Sequence, residues 1–260
     1  MEFNYLGTGI FNSVGTDSFI GSNFLTRTLW LLGMEVVWFV VSTPVNIAQH
    51  ELGHGARAAS IGGIPYYYWA GGTSTPSIIP FMIQGVLGFK SGLAYTNYNS
   101  SSSTQPSDYD AAVVAGGMNN SMMYAEFVED EIQFNGGHIL YYPSYILGKL
   151  DTYQYAKNTR TGKSNGGDVD RLLAYWSSKG YGITYSDLES GSRIAALGST
   201  TNAAILWSFL RYIATGDPTV SSPVIGSFKL PDLSFYLEGH LEIFQMPFVF
   251  HPQTIHADRK

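Results

Sequence analysis

The chain has 260 residues, 14 of them basic and 20 acidic, for a formal net charge of −6. Charged residues make up only 13% of it, about half the ~25% usual in soluble domains. Aromatic residues reach 15% and cysteine is absent. Such a chain is too apolar for a disordered one and lacks the basic balance of a nucleic-acid binder. It has no disulfide scaffold, thiolate metal site or cysteine nucleophile. A mean hydropathy of +0.01 argues against a bundle of long, uniformly apolar spans. What remains is a compact chain with one large core or two small domains. Glu2-Phe3-Asn4-Tyr5 follows Met1 without the basic n-region and apolar h-region of a secretory signal.

Residues 1–23 are rich in Gly, Ser, Asn and Phe, and read as an extended lead-in. Leu25–Val41 is strongly apolar and close to the ~18-residue threshold for a membrane span. Glu35 in its middle speaks against a span and leaves a buried core helix as the other reading. Ser42-Thr43-Pro44 offers a hydroxyl cap and a proline at the first helical position. A second helix is therefore expected from Pro44 to about Ile61, stopped by Gly62-Gly63. Ile64–Gly72 suggests a strand or turn, Pro76–Phe89 a third apolar segment, and Thr96–Ser107 a flexible polar loop. Helices are expected over Asp108–Gln133, His138–Asn158, Asp168–Lys179, Ser186–Ala196 and Thr201–Ala214. From Ser234 to Ile243, apolar and polar residues alternate as in a strand. The reading is mainly α: an extended segment 1–23, a helical domain 24–216, and a small C-terminal β segment 217–260.

His50-Glu51-Leu52-Gly53-His54 is an H-E-x-x-H motif on the helix expected after Pro44. Residues four apart on a helix lie about 40° apart around the axis, so both imidazoles face one side. They can share one Zn²⁺ at roughly 2.0–2.1 Å. Glu51 is placed to take a proton from water as general base without being a ligand. Small residues around the motif (Ala48, Gly53, Gly55, Ala56) let another helix approach.

His50–His54 resembles the motif of the zincin metallopeptidases. The wider stretch from Gln49 to Gly62 is also similar to the metal helix of the membrane-embedded site-2 proteases. The resemblance covers about 25 of the 260 residues.

Two histidines leave a catalytic zinc one protein ligand short, and no further His follows His54 before His138. On the helix Asp108–Gln133, steps of 100° put Asn119, Met123, Glu126 and Asp130 on one face. Gly116-Gly117 beside that face would allow close approach to the metal helix. Glu126 and Asp130 resemble the second motif of the gluzincins. That resemblance implies Glu126 as third ligand, with Asp130 supporting a ligand histidine; Asn119, on the same face, is a further candidate for the surrounding shell. Phe134-Asn135-Gly136-Gly137-His138 is similar to a site-2 protease motif whose Asp is the third ligand. Here that position is Asn135, a poor zinc ligand, and a plain turn is the other reading.

His138, Tyr141, Tyr142, Arg193 and Arg211 are candidate oxyanion donors. His240 between Glu238 and Glu242 is a candidate second metal site or a solvated strand face. Asp168, Asp170 and Arg171 read as a helix start. The expected function is a zinc metallopeptidase of gluzincin type acting on protein or peptide, associated with a membrane or cell envelope. Two alternatives stand: an intramembrane site-2-type protease, and a non-enzymatic envelope protein with a vestigial metal site.

Overall fold

A computed structural model describes residues 2–15, 23–99, 107–162, 167–220, 224–225, 228–229 and 237. It is mainly helical, as expected. Helices α1 (Glu2–Gly15) and α2 (Phe24–Ser60) lead into strand β1 (Ile64–Trp69), helix α3 (Ile78–Leu87) and strand β2 (Ala94–Asn99). Helices α4 (Ser107–Phe134), α5 (Tyr142–Arg160), α6 (Asp168–Ser178), α7 (Tyr185–Leu197) and α8 (Thr200–Thr215) follow. The short strands β3 (Val224–Ile225) and β4 (Phe228–Lys229) pair antiparallel. The alternating stretch Ser234–Ile243, with His240, lies outside the described residues except for Leu237.

The lead-in is helical rather than extended over Glu2–Gly15. Tertiary packing overrides its weak propensity. Phe11 is fully buried against Trp30, His138 and Tyr212, and Asn4 accepts from the Trp38 indole at 3.1 Å.

The two helices expected on either side of Thr43 are one. Pro44 removes one backbone hydrogen bond from the ladder. Interactions around it hold the helix continuous. Thr43 bonds back to the Phe39 carbonyl at 2.8 Å, and Ser42 meets Ser144 of α5 at 3.1 Å. At 1.5 Å per residue the 37 residues of α2 reach about 55 Å. Among the described residues α2 is the one helix long and apolar enough to cross a membrane. Phe24, Leu25, Leu29, Leu32, Val36 and Val37 of its first half are exposed. Glu35 between them has one oxygen, Oε1, buried with no hydrogen-bond partner among the described residues.

One core joins α1 and the first half of α2 to the far half of α4, the start of α5, and α8. A second packs the first half of α4 against α6 and α7. The second half of α2 packs against α4 at Gly53 and forms a third, smaller core with β1, α3 and β2 through Ala48, Tyr67, Trp69 and Phe81. Strands β1 and β2 pair antiparallel with Tyr67 opposite Thr96, which lays β2 over the H-E-x-x-H turn. Part of the stretch expected as a loop, 96–99, is thus strand; residues 100–106 lie outside the described residues. Helix α3 is tied to β1 where Trp69 stacks on Phe81 and donates to its carbonyl at 2.9 Å.

Candidate metal centre

The motif sits in the second half of α2 with His50, Glu51 and His54 all buried. Its histidines face α4. The crossing is close because Gly53 and Gly116 leave no side chain between the two backbones: a Cβ on Gly116 would fall 2.7 Å from the Gly53 carbonyl. One residue on, a Cβ on Gly117 would stand 2.5 Å from Nε2 of both His50 and His54. Asn120 stitches the same crossing by donating to the Gln49 carbonyl at 2.5 Å.

Both ring tautomers follow from their partners. His54 Nδ1 lies 2.7 Å from the Val113 carbonyl, which only accepts, so Nδ1 carries the proton. His50 Nδ1 lies 2.7 Å from the Asp151 carboxylate on α5, which calls for the same tautomer. Both Nε2 atoms then present lone pairs, 3.0 Å apart. Asp168, the first residue of α6, places Oδ2 3.1 Å from one and 3.2 Å from the other. Burial opposes the charge on Asp168; with no metal bound, protonated imidazoles beside it hold its carboxyl well below the usual carboxylate range. Three such atoms at van der Waals distance or less repel unless protons or a metal ion lie among them. Ligands 2.0–2.1 Å from a tetrahedral centre stand about 3.3 Å apart, close to the spacing found. His50, His54 and Asp168 can therefore hold a metal ion.

The third group is not the one expected. Helix α4 passes the histidines at Gly117, and Glu126 lies nine residues, or about 13 Å, further along it. Asp130 is further still and exposed; Asp151 takes the supporting role expected of it. Asn119 is turned away from the histidines, about 200° around α4 from Gly117. Its side chain accepts from the Leu237 amide at 2.5 Å and donates to the Leu237 carbonyl. Asn135 donates to Glu131 at 2.7 Å in the turn after α4. Asp168, expected only as a helix start, supplies the carboxylate. An acid following Gly166-Gly167 at a helix N-terminus was its signal in the sequence; Asp151 is marked only as the sole acid of α5.

Two clefts meet at the motif. One, about 440 Å³, is lined by Glu51, His54, Asp168 and Arg171 beneath Ala94–Tyr98. The other, about 360 Å³, is lined by Asn46, His50, Asp151 and Asn158. Glu51 opens into both. Its carboxylate is fixed by the Thr96 hydroxyl of β2, which donates at 2.7 Å. The expected oxyanion donors lie elsewhere. His138 contacts Asn12 at 3.3 Å, Tyr142 packs edge-on to Phe209, and Arg211 binds Thr219. Tyr141 packs on Tyr5 and Arg193 is exposed.

No protein-family model, curated protein or solved structure matches the chain.

Proposed function

We propose that this chain is a zinc-dependent peptidase working at a membrane, with His50, His54 and Asp168 as ligands and Glu51 as general base. The reading is carried by the convergence of two Nε2 lone pairs and one carboxylate oxygen beside a buried glutamate that opens into a cleft. Zinc held there would lower the pKa of water towards ~7 and polarise the carbonyl of a peptide bond. Glu51 takes the proton of the attacking water and delivers it to the leaving amine. Thr96 aims that carboxylate; Asp151 and the Val113 carbonyl keep both ligand rings in the required tautomer. The cleft runs along strand β2 from Ala94 to Tyr98, which suits an extended peptide.

A second reading, cleavage of a partner's membrane segment, is favoured by two observations. The carboxylate is an aspartate, as the site-2 protease resemblance implies, whereas the gluzincin resemblance requires Glu126. The helix that carries the motif is also continuous with an outward-facing apolar half.

The test is elemental analysis with a peptide-cleavage assay on the purified chain in detergent. One zinc per chain is expected, lost in Asp168→Asn. Glu51→Gln is expected to keep the zinc and to lose cleavage. A chain without stoichiometric zinc, or one that still cleaves after Glu51→Gln, overturns the proposal.

A further inference from the structure

Hydrolysis of a peptide bond builds negative charge on the carbonyl oxygen, and a fixed hydrogen-bond donor at that point lowers the barrier most. The donor must stand where water, Glu51 and the scissile carbonyl meet. That place is the junction of the two clefts. Glu51, Leu93, Ala94 and Tyr155 line both. Of these four, only Glu51 and Tyr155 carry a reactive group, and Glu51 is committed as the base.

Tyr155 lies on α5 one turn after Asp151, and its ring stacks on the His50 imidazole with centroids 4.9 Å apart and planes 5° from parallel. The stack sets the phenol in a fixed plane beside the ligand set, so a donor there needs no reorganisation during the reaction. The other donors stand on one cleft only, Tyr95 on the first and Ser91, Gln154 and Asn158 on the second, and several more are engaged. Thr96 donates to Glu51, Tyr98 to Asp110 at 3.1 Å, and Arg171 to both oxygens of Asp110. No hydrogen bond engages the Tyr155 hydroxyl among the described residues. Asn46 is the rival: it is buried, and its side-chain amide Nδ2 is a donor that no hydrogen bond commits among the described residues. However, it lines only the second cleft, one turn before His50, and so is placed to hold the chain of a substrate beyond the scissile bond.

We propose that Tyr155 is a catalytic residue, its phenol donating a hydrogen bond to the developing oxyanion on the opposite side of the scissile carbonyl from Glu51. The proposal rests on the peptidase reading above.

The test measures binding rather than turnover. The zinc-loaded full chain in detergent is titrated calorimetrically with a phosphinic pseudotetrapeptide bearing leucine on either side of the phosphinyl group. Its tetrahedral oxygens mimic the oxyanion. The amide peptide of the same sequence is titrated against the Glu51→Gln form, with and without the Tyr155 change. Tyr155→Phe keeps the ring on His50, and zinc content should not change. The phosphinate should bind about 100-fold more weakly to Tyr155→Phe, the scale of losing one oxyanion donor, with the amide peptide within twofold. Equal affinities for the phosphinate, or equal losses for both ligands, overturn the role of Tyr155. So does a selective loss of phosphinate binding in Asn46→Ala in place of Tyr155→Phe. If the unchanged zinc-loaded chain binds the phosphinate no better than the amide, the peptidase reading fails and the role of Tyr155 falls with it.

Discussion

Replacing Gly117 by alanine sets two effects of opposite sign against each other. Alanine in a helix interior is favoured over glycine by about 0.8–1.0 kcal/mol, so α4 itself gains. The new methyl, however, would stand 2.5 Å from Nε2 of both His50 and His54. That is about 0.9 Å short of an ordinary 3.4 Å contact. The helices cannot separate to make room, because Gly53 and Gly116 already bring their backbones together and Asn120 holds the Gln49 carbonyl. The rings must turn instead, which strains the Nδ1 contacts to Asp151 and Val113. Disturbing one such supporting contact costs 10- to 100-fold in metal affinity; disturbing two predicts a loss of about 100-fold or more. Chelator competition for zinc, paired with a thermal melt of the metal-free chain, reads both effects. The metal-free melt should be unchanged or raised while zinc affinity collapses. Gly33→Ala, at a helical position with nothing within 4 Å, should leave zinc affinity alone. A Gly117→Ala chain that binds zinc as the unchanged protein does would refute the placement of α4 against the ligands.

Two further substitutions separate the carboxylates. Asp151→Asn should weaken zinc binding 10- to 100-fold by loosening His50, whereas Glu126→Gln should leave zinc stoichiometry intact; the reverse pattern in chelator competition would restore Glu126 as ligand. His138 predicts an acid-sensitive fold. Burial lowers its pKa from 6.5 to about 4, against the opposing pull of Asp217. Its Nδ1 accepts from the Leu140 amide at 3.1 Å, so only the neutral ring fits. The unfolded chain therefore binds the extra proton between the two values. Stability is complete above about pH 6.5 and falls by about 3 kcal/mol as pH drops towards 4. His138→Asn, which can still accept at that cap, should flatten denaturant midpoints between pH 7 and 4.5; an unchanged slope would show that another group carries the acid sensitivity.

The ligand helix was legible because the motif needs only local geometry. A 3.6-residue period places His50 and His54 on one side whatever surrounds them. The small residues at 116 and 117 were equally readable as a point of close approach. The carboxylate that meets the histidines, Asp168, was not, because it comes from another helix, and no period within α4 can report it. Glu126 shares the face of Asn119 and Asp130, but nine residues after Gly117 it stands about 180° around α4 as well as about 13 Å along it, so neither angle nor distance brings it to the histidines. Asp168 is 114 residues beyond His54 in sequence; what brings it to the histidines is the apolar packing of Val169, Leu172 and Trp176 against α4.

The same distinction explains the first half of the chain. The cap-like Ser42-Thr43-Pro44 has the local chemistry of a helix start, and local chemistry was all the sequence could weigh. In the fold, Ser42 points into α5 and Thr43 back along its own helix, so both hydroxyls serve a helix interior. Continuity through Pro44 joins the apolar half of α2 to the half that bears the ligands. Low charge density and the H-E-x-x-H motif, separate observations in the sequence, thus belong to one helix. Any force that positions the apolar half, whether a bilayer or a partner helix, acts on the histidines through an unbroken rod of about 55 Å.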